Sequence, residues 1–333
     1  MRATLKDLAR AANVSTATAD RALNNRAGVS ARTRAIVLQA AHRIGYVAET
    51  PASPRPVHLA ILLPRGTNAF IEELRHHLRR MASHDGTLTL DFPDIADPTP
   101  DAMRTAIEQV AGADGIAVLA RHHPLVQDAV QRVTRAGTPV VTLASDLPGS
   151  GRLAYIGVDD MRAGRLAGQV ITRFLGPRPA GKIALFAGSL SYRAHQEREM
   201  GLRQLLSEDA PGLSLLEIRE SDENRNQAQA QMAELLSNHD DLVAIYNAGG
   251  GTQGIARALK AAERDRGLVF VAHDLTEPNK GLLLDGTLDT VIDQSARAEA
   301  AEVLATLTAA ARGQDHSFTP PQSNLILREN LPL

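Results

Sequence analysis

A glycine-rich turn in the second half of the sequence is the feature that most directly suggests chemistry. Gly249, Gly251 and Gly254 have the spacing G-x-G-x-x-G between an apolar run and a helical pattern, and Asp274 lies twenty residues beyond the last glycine. In dinucleotide-binding folds such glycines bring backbone N–H groups to the pyrophosphate, and the acidic residue binds a ribose hydroxyl. Taken alone, this spacing predicts an NAD-dependent dehydrogenase.

Two observations weigh against that interpretation. The motif occurs late in the chain, whereas such a fingerprint usually opens its domain, and no acid and base pair with His or Lys stands out for hydride transfer. A glycine-rich turn between strand and helix also brings the backbone close to any polar ligand. Because no convergent nucleophile, base and oxyanion set is evident, we predict no enzyme and no cofactor, and keep the dehydrogenase as the alternative.

A second group of polar side chains lies near the start of the chain. Thr16, Ala17, Asp20 and Arg21 fall at the beginning and on the outer face of a short helical pattern that Ser15 is placed to cap. Hydroxyl and guanidinium groups on one exposed helix face are suited to hydrogen bonds with base edges and phosphates. This face is therefore a candidate surface for contact with double-stranded DNA.

Three short helices are expected to position that face. Thr4 with Asp7 forms a capping-box pattern for the first helix, Ser15 opens the second, and Ser30 opens the third. The third helix has an apolar stripe made of Ile36, Val37, Ala40, Ala41 and Ile44, and Gly45 occupies its C-cap position. A short helix, a tight turn and a second helix in this order predict a helix-turn-helix unit.

The charge distribution supports a DNA-facing segment. Residues 1–46 contain eight basic and two acidic residues, a net charge of +6, whereas the whole chain carries −2 and residues 47–333 therefore carry −8. Such asymmetry is expected when one segment faces phosphate and the other does not.

Residues 4–46 resemble the DNA-binding domain of the lactose-repressor (LacI) family of bacterial transcription regulators. The matching positions are Thr4, Asp7, Ala9, Ala12, Val14, Ser15, Thr18, Arg21, Leu23, Asn24, Val29, Ser30, Thr33, Arg34, Val37, Ala40, Gly45 and Tyr46. The resemblance implies that Thr16 and Ala17 contact base edges in the major groove and that Arg21 reaches a base or its flanking phosphate. It assigns phosphate contacts to Ser15, Thr18, Asn24 and Thr33.

The chain departs from the family pattern at two places. Asp20 stands where the family usually has a serine, and a carboxylate there is repelled by phosphate unless a cation pairs with it; it can also accept from a cytosine amino group. The family's leucine-bearing hinge helix is replaced at residues 47–57 by a linker with Pro51, Pro54 and Pro56, which favours an extended segment. We therefore expect a less kinked operator.

Beyond the linker, short apolar runs alternate with helical patterns. The runs are residues 58–63, 88–92, 115–120, 139–144, 182–187, 213–218, 242–247, 268–273 and 289–293. This alternation predicts an α/β fold with parallel sheets, and nine or more strands suit two linked sheets better than one.

The LacI resemblance continues here and implies a type I periplasmic sugar-binding fold, in which two Rossmann-like subdomains close over a ligand. The expected N-subdomain is about 58–156 and 295–313, and the C-subdomain is about 157–289 and 323–333. By this resemblance the effector is held by Asn68, Phe70, Ser145, Asp146, Gln196, Arg198, Asn247, Asp274 and Gln294. Carboxylates, amides, a guanidinium and one aromatic ring suit a polyhydroxylated ligand.

Composition excludes several classes of protein. The chain has no cysteine, which removes disulfides and thiolate chemistry, and its histidines lack the spacing of a zinc site, so we predict no metal. It has no long apolar run and no signal-peptide pattern, so we expect a cytoplasmic protein without membrane contact. A non-regulatory solute-binding protein is a further alternative, which residues 1–46 disfavour.

Together these observations predict a DNA-binding transcription regulator, a repressor. We expect a homodimer on a pseudo-palindromic operator, because two DNA-binding domains, here called heads, supply specificity that one small domain cannot. The expected effector is a small sugar, polyol or sugar acid that closes the cleft between the subdomains and so changes the spacing of the heads.

Overall fold

The computed structural model describes residues 3–24, 26, 28–44, 46, 55–66, 68–95 and 99–332. The chain divides into two compact units, Met1–Pro56 and Val57–Leu333. The expected C-cap glycine Gly45 and most of the predicted linker, residues 47–54, lie outside the described residues.

The first unit contains three helices: α1 (Leu5–Ala11), α2 (Thr16–Leu23) and α3 (Ala31–Arg43). Each begins at a hydroxyl-bearing cap. Thr4 and Asp7 form a complete capping box, Ser15 Oγ accepts from Thr18 N at 3.1 Å, and Ser30 Oγ accepts from Thr33 N at 3.1 Å. The caps satisfy N–H groups that otherwise have no partner in the first helical turn.

Small and branched apolar residues fill the core of this unit, led by Leu8, Ala19, Val37 and Ala41. The predicted stripe of α3 was wrong at Ile36, whose surface is 45% exposed. Successive helical residues are rotated by about 100°, so with Val37 facing α1 and α2, Ile36 points away from them.

The second unit begins with a five-stranded parallel sheet in the order β2-β1-β3-β4-β5. Its strands are β1 (Val57–Leu62), β2 (Leu88–Asp91), β3 (Gly115–Val118), β4 (Val140–Leu143) and β5 (Ala154–Ile156). Its helices are α4 (Ala69–His84), α5 (Pro100–Gln109), α6 (Pro124–Arg135) and α12 (Ala296–Ala311). Helices α4 and α12 cover one face and α5 and α6 the other, so the strands are apolar on both sides. We call this sheet with its helices the first lobe.

A seven-stranded sheet forms the second lobe, in the order β12-β11-β10-β9-β6-β7, with β8 paired to β6. Its strands are β6 (Gly181–Ala187), β7 (Leu213–Leu215), β8 (Arg219–Glu220), β9 (Leu242–Asn247), β10 (Val269–His273), β11 (Thr290–Asp293) and β12 (Asn324–Ile326). Only β12, at one edge, is antiparallel. Helices α7 (Asp160–Phe174) and α8 (Arg193–Asp209) cover one face. Helices α9 (Arg225–Asn238), α10 (Thr252–Ala261) and α11 (Glu277–Leu284) cover the other, and a 3₁₀ helix (Arg328–Asn330) follows β12.

The chain passes between the lobes three times: after β5, after β11 and between α12 and β12. The predicted α/β architecture with two parallel sheets is confirmed. Strand β11 pairs with β10 through Val271 and Thr290, so the second lobe's segment extends to Asp293 rather than ending at residue 289. The very short β5 and β8 were not predicted, because two or three residues carry no readable period. No helix in the described ranges is long and apolar enough to cross a bilayer.

Candidate functional site

The first unit presents its predicted DNA-contacting residues at the start of α2. Thr16, Ala17 and Arg21 are exposed, so their side chains are available to a groove. The hydroxyl groups of Ser15 and Thr18 form a hydrogen bond at the helix N-terminus, with Oγ and Oγ1 2.8 Å apart. Asn24 is exposed after the helix, and Thr33 is half-buried at the start of α3.

Asp20 is paired within the same unit. Its Oδ1 accepts from the Asn24 amide at 2.8 Å, and its Oδ2 accepts from Arg26 Nη1 at 3.2 Å. A carboxylate paired with a cation repels phosphate less than an isolated one. The pairing also holds Asn24, a predicted phosphate contact, against the helix.

In the second unit a cavity that opens to solvent lies between the lobes, at the C-terminal ends of the strands, with about 460 Å³ of space including its solvent-filled mouth. Both lobes supply apolar and polar walls, as ligand sites in this position commonly do. The lining residues are Asn68, Phe70, Ile71, Leu119, Ala144, Ser145, Tyr192, Ala194, His195, Arg198, Glu223, Gly249, Asp274 and Gln294. An adjoining space of about 450 Å³ extends the cavity to Thr252, His273 and Asn279.

Arg198 is the buried cation of this cavity. Its Nε donates to Asp160 Oδ1 at 2.7 Å, its Nη1 to the carbonyl of Ala248 at 2.8 Å, and its Nη2 to Gln294 Oε1 at 3.4 Å. Burial disfavours the charge, but Asp160, Tyr246 and Asp274 together outweigh burial and raise the pKa of Arg198. Arg198 is thus a fixed donor whose charge is balanced within the wall of the cavity.

Two glycines set the position of Arg198. A Cβ at Gly164 on α7 would collide with the carbonyl of Arg198, and a Cβ at Gly201 on α8 would collide with the carbonyl of Met161. Because neither glycine has a side chain, α7 and α8 approach backbone to backbone. This approach brings Arg198 to Asp160 at the first turn of α7.

Asp274 follows β10 with a left-handed backbone (φ 68°), and Gln294 follows β11. Gln294 Nε2 donates to Asp274 Oδ1 at 2.7 Å, so these two side chains face each other across adjacent strand ends. Burial raises the pKa of Asp274 to about 7, while the charge of Arg198 opposes the shift. Near neutral pH this carboxyl group exists in both protonation states.

Glu223 enters the cavity from the loop after β8. Its Oε2 accepts from Asn68 Nδ2 at 2.8 Å and from Gly250 N at 2.7 Å, so it joins the second lobe to the first. Burial raises the pKa of Glu223, and the hydrogen bonds from Gly250 and Asn68 oppose the shift. Its backbone is left-handed (φ 61°), as is that of Asp222 (φ 45°), whose carboxylate accepts from Arg121 of the first lobe at 3.1 Å.

Two rings complete the polar wall. His195 Nδ1 lies 2.9 Å from the carbonyl of Ser189, and burial lowers the pKa of His195 to about 3, so the imidazole is neutral. Tyr192 packs edge-on against it with ring centroids 5.4 Å apart. Ser145 Oγ, from the first lobe, accepts from Ala194 N at 3.4 Å.

Of the predicted effector residues, six line the cavity: Asn68, Phe70, Ser145, Arg198, Asp274 and Gln294. Three do not. Asp146 instead binds Arg152, Thr142 Oγ1 and Leu147 N; burial disfavours its charge, but these bonds outweigh burial and lower the pKa of Asp146. Gln196 is exposed and donates to the carbonyl of Leu190. Asn247 is fully buried, and its amide donates to Gly250 O and Thr252 Oγ1, which holds the glycine turn.

Sequence reasoning missed Glu223, His195 and Tyr192. Glu223 lies in the strongly polar stretch RESDEN, which is typical of a solvated loop. The rule that ligands meet the C-terminal ends of parallel strands points to it once the two-residue strand β8 is known. His195 and Tyr192 lie at the start of α8, three and six residues before Arg198. Their helical spacing from Arg198, a predicted site residue, was the signal that could have identified them.

The glycine turn between β9 and α10 does not present a free phosphate site. Gly250 N, which a phosphate would approach, donates to the Glu223 carboxylate, and an anion there would meet a second negative charge. Gly254 has a packing role, because a Cβ at this position would collide with the carbonyl of Arg225 on α9. The geometry disfavours the dinucleotide alternative.

Comparison with protein families gives two matches. Residues 4–49 match the family described as bacterial regulatory proteins, lacI family. Residues 59–315 match the family described as periplasmic binding protein domain, which covers most of the chain.

Individual relatives match over most of the chain. The chain is 24% identical over 258 residues to the ribose import binding protein of Haemophilus influenzae, covering 77% of this chain and 86% of that protein. It is 25% identical over 276 residues to catabolite control protein A of Priestia megaterium, covering 80% and 79%. A glucose-galactose binding protein from Geobacillus stearothermophilus has the same fold, with a TM-score of 0.75, 22% identity, and coverage of 84% of this chain and all of that one.

Proposed function

Since the chain belongs to the lacI family of bacterial regulatory proteins and carries a periplasmic binding protein domain, we propose that it is a sugar-responsive transcription regulator acting as a repressor. The observation that carries the effector role is the cavity in which Arg198, Asp274 and Gln294 present polar groups at adjoining strand ends. The division we use is residues 1–46 for DNA binding, 47–57 for the linker and 58–333 for the effector.

In the DNA-binding domain we assign base-edge contacts to Thr16 and Ala17, and a base or phosphate contact to Arg21. Ser15, Thr18, Asn24 and Thr33 are assigned to phosphates. The exposure of Thr16, Ala17 and Arg21 and the net charge of +6 support this assignment. We propose that a homodimer reads a pseudo-palindromic operator, because a second head doubles the number of base contacts.

In the effector domain we assign ligand hydroxyls to Asn68, Ser145, Arg198, Asp274 and Gln294, with Phe70 as the apolar wall. Amide, hydroxyl and carboxylate groups both donate to and accept from vicinal hydroxyls. Ligand binding favours one arrangement of the lobes, and DNA affinity follows that arrangement. Since its target is DNA, we place the protein in the cytoplasm, and we propose no enzymatic activity.

The test begins with the purified full chain and a pool of random duplexes, from which repeated selection yields an operator. Fluorescence anisotropy then measures operator affinity with and without sugars, polyols, sugar acids, NAD and NADP. We expect at least one polyhydroxylated compound to change the affinity by tenfold or more, a coupling of about 1.4 kcal/mol. Failure of the selection to yield any operator sequence would refute the DNA-binding role. A response to NAD alone would favour the dehydrogenase.

The variant Asp274→Ala separates the two roles. We expect it to bind the operator like the parent chain and to lose the response to the effector. Asp285→Ala, at an exposed carboxylate outside the cavity, is the matched control. Equal responses of both variants would remove Asp274 from the effector site.

A further inference from the structure

We propose that the effector carries a protonated amino group beside its hydroxyls, as in an amino sugar or an amino polyol, and that Glu223 is the residue that selects for it. This inference rests on the proposed effector function of the cavity. It narrows the ligand class from any polyhydroxylated molecule to a cationic one.

The cavity wall contains charged side chains of both signs. Arg198 contributes one positive charge, and Asp160, 2.7 Å away and equally buried, cancels it. Asp274 and Glu223 then each contribute a carboxyl group to the same wall. Arg225 also borders the adjoining space, but it is exposed to solvent, and its Nη1 lies 3.4 Å from Gln253 Oε1. The buried part of the wall therefore favours a ligand of positive charge.

The Glu223 carboxylate is held in place by its neighbours. Two glycines make room for its carboxylate: a Cβ at Gly188 would collide with Oε1, and a Cβ at Gly250 would collide with Oε2. Gly250 N and Asn68 Nδ2, two uncharged donors, fix Oε2. The carboxylate thus has a built seat inside the cavity, unlike an acidic side chain on a solvated surface.

A buried histidine beside the cavity is an independent sign of a ligand. His273 lines the adjoining space and is 2% exposed, and its Nε2 lies 2.7 Å from the hydroxyl of Tyr246. Within the described ranges its Nδ1 has no hydrogen-bond partner. A buried polar atom of this kind commonly meets a ligand or water. A ligand hydroxyl at this atom places a polyhydroxylated molecule beside both carboxyl groups.

An anionic ligand fits this wall poorly. A sugar acid would bring a third carboxylate beside Asp274 and Glu223, and Arg198 already has Asp160 as its counter-ion. Burial raises the pKa of both carboxyl groups, so a neutral sugar leaves their charged forms disfavoured. A bound ammonium group stabilises their charged forms, so its binding releases protons.

The experiment uses isothermal titration calorimetry on the full chain with matched series. There are three series, one each for the gluco, galacto and manno configurations. Each series contains the amino sugar, the neutral sugar and the uronic acid of that configuration. In the series that binds, we expect the amino sugar to bind at least tenfold more tightly than the neutral sugar, with no detectable binding of the acid. Titrations in two buffers of different ionisation enthalpy should show proton release for the amino sugar alone.

Glu223→Gln tests the selecting residue. The amide keeps an oxygen for Gly250 N but removes the charge, so the preference for the amino sugar should fall to within about twofold while the neutral sugar still binds. Glu234→Gln, at an exposed carboxylate on α9, is the control and should keep the preference.

The outcomes separate the two claims. A neutral sugar or acid that binds as tightly as the amino sugar and alters operator affinity overturns the charge inference and leaves the regulator intact. Unchanged preference in Glu223→Gln also overturns it. Binding by no member of any series overturns this inference, and the screen of operator affinity decides separately whether another polyhydroxylated compound is the effector.

Discussion

Arg198 Nε and Asp160 Oδ1 lie 2.7 Å apart in a buried ion pair that joins α8 to α7 beneath the cavity. Their side chains are 3% and 2% exposed, and the Tyr155 hydroxyl donates to the other oxygen of Asp160 at 3.0 Å. Tyr155 belongs to β5, immediately before the chain first leaves the first lobe. The pair therefore links the floor of the cavity to a connection between the lobes.

Removing one member of this pair should be costly. Arg198→Met leaves Asp160 buried without its cation, and we expect the free energy of unfolding to fall by about 3–5 kcal/mol. The double variant Arg198→Met with Asp160→Leu should recover most of this loss, because no isolated charge remains. Urea unfolding of the three proteins measures the difference, and a double variant as unstable as the single one would contradict the argument. Neither variant should respond to the effector.

The pH dependence of stability should reflect the ionisation of Asp274. Its pKa in the folded protein, about 7, lies above the ordinary value of 3.8, so the folded state holds the proton more tightly than the unfolded state. The stabilisation is complete below pH 4 and is lost as pH rises to about 7. Asp274→Asn should therefore show a smaller decline in melting temperature between pH 4 and pH 7 than the parent chain. Parallel curves for the two proteins would place the raised pKa elsewhere.

Arg21→Ala should weaken operator binding and leave effector affinity unchanged. Loss of one good base contact costs about 1–3 kcal/mol, which is roughly five- to 160-fold in affinity. Arg10→Ala, on α1 and equally exposed, removes the same charge and is the matched control. Anisotropy with the selected operator measures both, and equal small effects would show that only net charge matters at position 21.

Asp20→Ser should strengthen operator binding. The substitution releases Arg26 and Asn24 from the carboxylate and removes a negative charge that lies close to the phosphates. We expect a gain of several-fold and a steeper salt dependence, since one more phosphate contact adds about 0.9 to the slope of log affinity against log salt. A weaker and less specific complex would instead indicate that Asp20 reads a cytosine directly.

Operator affinity of the parent chain should fall steeply with salt. With about six phosphates neutralised by two heads, affinity falls roughly a thousandfold between 50 and 200 mM salt. Effector binding, which takes place among buried groups that salt screens less than exposed ones, should change much less. Titrations of both ligands over this range test the division of roles between the two units.

The sequence predicted the architecture well because long periodic patterns determine it. The caps Thr4, Ser15 and Ser30 and the alternation of apolar strands with helices are local signals, and the structure contains all of them. The prediction that Ile36 is buried was wrong because the apolar pattern of a helix does not determine which residue at the edge of the stripe remains exposed to solvent. The outcome depends on packing against α1 and α2, which is not local.

The cavity was predicted less completely, for a physical reason. Residues directly at strand ends, such as Asp274 and Gln294, follow from the topology of a parallel sheet. Asp146, one residue past Ser145, turns away because Arg152 lies close enough to bind it. Glu223 reaches the cavity through two consecutive left-handed residues, Asp222 and Glu223. Glu rarely adopts this conformation, and no sequence pattern predicts it here.

The seat of Glu223 has an evolutionary consequence. Gly188 and Gly250 cannot acquire a side chain while the Glu223 carboxylate keeps this position, because either Cβ would displace it. A lineage that replaces Glu223 by a shorter residue relaxes that restriction at both glycines at once. Among descendants of this chain, positions 188, 223 and 250 should therefore vary together, and a change of effector should leave its trace as a correlated substitution across three separate loops.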